Sequence, residues 1–242
     1  MLYIANVFTG SSGHFIQSLC AQAISQDHFA EFYYDDVAHC HSYMNKYRLI
    51  NFHNYQNSKA MHWSEIEFRS TEANQQNWII EASTSEDYVS ITQKLGKWRR
   101  IFILVPHEFL LWQASNHTIK NRLLTGQDRT LMRVQQFLDE SSIEQIQYQA
   151  YRKHLRLDSI YGSWTLNFRD IFLDPIITVN LLEHYLSRTL LIPGLMNYRR
   201  YLVANLELIQ NTMPWLIDRY DAVAGIGKAV EELDKLMLER ML

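Results

Sequence analysis

Leu2-Tyr3-Ile4-Ala5-Asn6-Val7-Phe8-Thr9-Gly10-Ser11-Ser12-Gly13-His14-Phe15 is the stretch whose reading decides the fold. An apolar run, Leu2 to Val7, meets a turn rich in Gly and Ser, and Ile16-Gln17-Ser18-Leu19-Cys20-Ala21-Gln22-Ala23-Ile24 follows with a helix-like composition. A short apolar run closed by such a turn predicts a buried strand, so the opening reads strand, tight loop, helix. A hydroxyl at Ser11 or Ser12 suits the cap of a helix beginning near Gly13, because it can accept from an orphan amino-terminal amide. Gly10-Ser11-Ser12-Gly13 also has what an anion site needs. Its small residues let backbone amides converge, and the following helix adds about half a positive charge at its amino end. A plain βα turn favours the same residues for backbone reasons alone.

Working outward, Trp78-Ile79-Ile80-Glu81-Ala82 reads as a short buried strand. Arg99-Arg100-Ile101-Phe102-Ile103-Leu104-Val105-Pro106 is the clearest strand, a continuous apolar run of the kind that a parallel sheet covered on both faces produces. His107 to Leu124 and Asp128 to Leu155 carry helical patterns, and Ser163 to Phe168 reads as a further strand. Asp174-Pro175 predicts an N-cap with proline at the first helical position, opening a helix to about Thr189, and the last fifty residues read mostly as helix. Residues 27 to 77 are rich in His, Asn and Gln and show only weak periodicity. Strands alternating with helices in this order predict one three-layer α/β domain over residues 1 to 242. It would have a mainly parallel central sheet, a helical C-terminal region, and ligands at the carboxyl ends of the strands.

Composition narrows the function classes. The 242 residues suffice for one sizeable core, and 47% hydrophobic with 20% charged residues is the balance of a folded globular chain. A net charge of -3 supplies no basic excess for nucleic acid or an anionic membrane, while leaving room for a small anionic ligand bound locally. Two cysteines, Cys20 and Cys40, are too few for a disulfide framework and point to a reducing, cytoplasmic setting; a single bridge between them is the other arrangement they allow. Neither a leader-like opening nor an apolar run of membrane-spanning length is expected from the pattern.

Other constellations read as ordinary surface or core. His39-Cys40-His41 with His53 and His62 contains zinc-ligand types but lacks zinc-site spacing. The first turn is one residue short of a G-x-S-x-G nucleophile elbow. Asp35-Asp36 and Glu231-Glu232 read as solvated pairs. Arg199 and Arg200, beside Tyr198 and Tyr201, carry guanidinium forks that suit a phosphate, with an exposed or interhelical ion pair as the plainer assignment. Val223, Ile226, Val230, Leu233 and Met237 form one apolar stripe on the final helix. Such a stripe docks on its own core. The alternative is that residues 222 to 242, loosened at Gly225 and Gly227, dock on a second copy or a protein partner.

Three segments together resemble the P-loop sulfotransferase-like family, in its small bacteriophage and marine form. Tyr3 to Phe15 is similar to the family's loop for the 5'-phosphosulfate end of the donor. Arg100-Ile101-Phe102-Ile103-Leu104-Val105-Pro106 with the helix after it is similar to the central strand and 3'-phosphate site. Leu166-Asn167-Phe168-Arg169-Asp170-Ile171-Phe172-Leu173-Asp174-Pro175 is similar to the late strand, short turn and Asp-Pro helix start, and Tyr198 to Leu202 with Met213 to Leu216 continue the likeness.

The resemblance implies a P-loop-like domain. It implies a PAPS or PAP nucleotide bound by Gly10, Ser11, Ser12, Gly13, His14 and Phe15, with Arg199 and Arg200 as further phosphate ligands. The chain departs from the family where chemistry is done. Gly10 or Ser11 stands where a basic loop residue is usual, Leu104 and Trp112 replace an Arg and a Ser, and Ser83 or Thr84 replaces the usual His base. His14 is the residue left to serve as catalytic cation, since a His charge is the one most easily moved across neutral pH. Two functions are thus expected: sulfuryl transfer from a nucleotide donor, or a phage-type binding or structural module that keeps the fold and acts through protein contacts.

Overall fold

A computed structural model of the chain describes residues 2–6, 12–24, 33–34, 40–41, 49–51, 78–82, 98–113, 115–116 and 163–242. Five strands form one parallel sheet: β1 (Leu2–Asn6), β4 (Leu49–Asn51), β5 (Trp78–Ala82), β6 (Trp98–Leu104) and β7 (Ser163–Asn167), in the order β4-β5-β1-β6-β7. Two further short strands, β2 (Tyr33–Tyr34) and β3 (Cys40–His41), pair antiparallel in a sheet of their own. The polar stretch from 27 to 77 thus contributes β2, β3 and β4, which its weak periodicity does not announce. The expected helices over 117–124 and 128–155 lie outside the described residues.

Register places Asn6 of β1 opposite Phe102 of β6, and Leu104 of β6 opposite Asn167 of β7. The carboxyl ends of these three strands therefore open at one edge. The helix α1 (Gly13–Ile24) follows β1 and packs against β1, β5 and two later helices. After β6 the chain makes a 3-10 turn over His107–Phe109, and residues 110–113 and 115–116 are helical. Ile101, Ile103 and Val105 are buried at every second position, while Leu104 between them keeps some exposure, as a pleated strand requires.

Phe168, read as strand, begins a helix instead. Asn167 ends β7 in extended geometry and its side chain accepts from the Arg169 amide at 2.9 Å, capping α2 (Phe168–Leu173). Pro175 does open α3 (Pro175–Leu186), but Asp174 makes no side-chain cap, because its carboxylate is taken by the Arg169 guanidinium. The helix stops three residues before Thr189, where Ser187 adopts a left-handed φ of 54° and its amide turns back to His184 and Glu183.

The C-terminal region is helical: α4 (Ile192–Thr212), α5 (Pro214–Tyr220) and α6 (Ala222–Met241). Along α4, Leu195, Tyr198, Leu202, Asn205 and Ile209 recur three and four apart and are buried; Ala222, Ile226, Ala229 and Leu233 do the same on α6. These two stripes face each other. The expected apolar stripe docks on its own core, rotated slightly from the expected line. Ile226 and Leu233 sit at its centre, alanines fill the rest, and Val223, Val230 and Met237 flank it. Gly225 lies within the continuous α6 helix, and a Cβ there would stand 2.6 Å from Leu173 Cδ2, so the glycine permits the close approach of α6 to α2.

Candidate functional site

In the chain, Ser12 and the start of α1 follow β1, the strand with two neighbours on either side. Gly10 and Ser11 lie outside the described residues. Ser12 carries a φ of 69°, a left-handed conformation that costs a non-glycine residue free energy. Its carbonyl accepts from the Ile16 amide at 3.0 Å, closing the first turn of α1. The Ser12 hydroxyl accepts a hydrogen bond of 2.8 Å from the Tyr201 hydroxyl on α4. Helix geometry gives the first amides of α1, those of Gly13 and His14, no carbonyl in a preceding turn, so they are the donors this helix start can offer an anion.

Phe15 offers a ligand no side chain, because its ring is 1% exposed. It stacks on Tyr201 with centroids 3.9 Å apart and planes 4° from parallel, and it meets Tyr198 at 5.0 Å. Tyr201 also packs on Phe172 at 6.0 Å, and the Tyr198 hydroxyl donates to the Ile171 carbonyl at 2.7 Å. Burial pushes the Tyr198 phenol above its ordinary range. One aromatic wall on α4 therefore joins the start of α1 to the short helix after β7.

The two arginines divide. Arg199 lies two positions from Tyr201, about 200° around the helix, and its Nε donates to Asp234 on α6 at 2.6 Å. That is the interhelical pair the sequence offered as its plainer assignment, with both partners well exposed. Arg200 is exposed on α4. At the end of β7, Arg169 binds both Asp170 and Asp174, and partial burial raises the Asp170 carboxyl despite that guanidinium.

The segment resembling a 3'-phosphate site is built as core. Trp112 is fully buried beside Phe109, Phe168, Phe172 and Tyr220. Ser115, three residues on, is buried and accepts from Trp215 Nε1 at 3.1 Å. Asn116 is 1% exposed, and among the described residues neither of its amide atoms has a hydrogen-bond partner. Ser83, Thr84, His39, His53 and His62 lie outside the described residues. Among the described ones no three metal-ligating side chains come together, and no helix is long and apolar enough to cross a membrane.

Cys20 is a free thiol buried in α1, and burial pushes its pKa up from 9.0 to about 12. Above pH 9 the unfolded chain ionises this thiol while the folded one does not, so the contribution is complete below 9 and is lost as pH rises towards 12. Between pH 9 and 10, below the ordinary tyrosine value of 10.0, the wild type is expected to lose about 1 kcal/mol of stability through this group. Urea titrations of wild type and Cys20→Ala across that interval check it. Parallel slopes for the two proteins would refute the assignment.

The sequence reads Ser12 as a cap and phosphate residue and Tyr201 only as a neighbour of Arg199 and Arg200; their meeting, across 189 residues, is legible in neither motif. The only local signal was Tyr198 and Tyr201 three apart on one helix face. Comparison of the chain with family models, with curated proteins and with solved structures found no match.

Proposed function

We propose that the chain is a sulfotransferase-like protein that binds a phosphorylated adenosine nucleotide of the PAPS or PAP type through the turn Gly10 to Phe15, within a three-layer P-loop-like domain. The observation that supports this reading is the position of β1 and α1. β1 stands in the sheet between β5 on one side and β6 on the other, and α1 is the next helix in the chain. Parallel α/β sheets bind ligands outside the carboxyl ends of their strands where the strand order reverses, and a helix start brings amide donors and a positive dipole there.

The reading is of binding first. Transfer of a sulfuryl group depends on cations facing the developing charge, and Arg199 is engaged by Asp234 on another helix. His14 is the residue proposed to supply that charge, and the amides of Ser12, Gly13 and His14 are proposed to hold the phosphate.

Calorimetric titration with adenosine 3',5'-bisphosphate at low salt tests the proposal. Wild type is expected to bind in the micromolar range, and Gly13→Val, which places a branched side chain at a buried first helical position, is expected to weaken binding at least tenfold, about 1.4 kcal/mol. Thermal unfolding of the variant controls for its fold. Absence of binding by the wild type would overturn the proposal and direct attention to protein partners.

A further inference from the structure

We draw no further inference here: the strongest candidate, the apolar surface patch of Met196 near the start of α4 with Leu238 and Met241 near the end of α6, beside the Arg199–Asp234 pair, carries nothing because nothing in the structure shows what covers it.

Discussion

Replacing Trp112 with alanine is expected to cost about 3–5 kcal/mol, the range for deleting a fully buried aromatic side chain. Trp112 is 0% exposed and lies against rings from three separate places: Phe109 just before it, Phe168 and Phe172 on α2, and Tyr220 at the end of α5. No single neighbour can collapse into the space it leaves, since each is fixed by a different backbone. A loss of this size is a large share of the about 5–15 kcal/mol that a folded domain has to spare. Trp112→Phe separates volume from polarity. Trp112 Nε1 has no hydrogen-bond partner among the described residues, so phenylalanine forfeits part of the packing, leaves no partner behind, and is expected to cost less than half as much. Urea unfolding followed by circular dichroism reads both. A midpoint for Trp112→Ala within error of the wild type would show that this ring does not hold these elements together.

The second large effect is expected at Glu183, near the end of α3. Its carboxylate accepts from the Leu190 amide at 2.8 Å and from Arg240 at 2.7 and 3.2 Å, and Arg240 also donates to the Leu190 carbonyl at 2.8 Å. The two side chains are only 22% and 19% exposed, so screening by water and salt is partial. This fork ties the last turn of α6 to the segment joining α3 and α4. Glu183→Ala leaves both an amide and a guanidinium short of an acceptor, and a cost of about 2–3 kcal/mol follows from charge-assisted hydrogen bonds of this geometry. Arg240→Met on top of Glu183→Ala should cost less than the sum of the single changes, because the stranded charge is gone. Strict additivity in a double-mutant cycle would show that the fork contributes nothing as a unit. By contrast the i,i+4 pairs Lys228–Glu232 and Lys235–Glu239 are long and exposed, at 3.6 and 3.9 Å. Their removal should stay within a few tenths of a kcal/mol.

Much of the local structure was legible. β5, β6 and β7 were visible as apolar runs, and the start of α1 at Gly13 and of α3 at Pro175 followed from turn and cap residues. Errors fell where a side chain had two possible partners. Asp174 is a good capping residue, but the Arg169 guanidinium five positions earlier is a stronger attraction for its carboxylate than an amide. On α6 the large residues Val223, Val230 and Met237 drew the stripe, whereas the contact line runs through Ala222 and Ala229. Small residues let two helices approach, a property that a scale of hydrophobicity understates.

By itself the sequence determined the kind and order of β1, α1, β5, β6, β7 and the C-terminal helices, because backbone preference and apolar periodicity act over a few neighbouring residues. It also determined that a helix would begin at Gly13. Which side chains meet was decided only by the tertiary structure: Tyr201 on Ser12, Arg199 on Asp234, and Trp112 among Phe109, Phe168, Phe172 and Tyr220. The physical reason is that such pairings depend on the rotation of whole helices against one another. That rotation is set by the summed packing of many residues far apart in the chain, and no short window of sequence contains it.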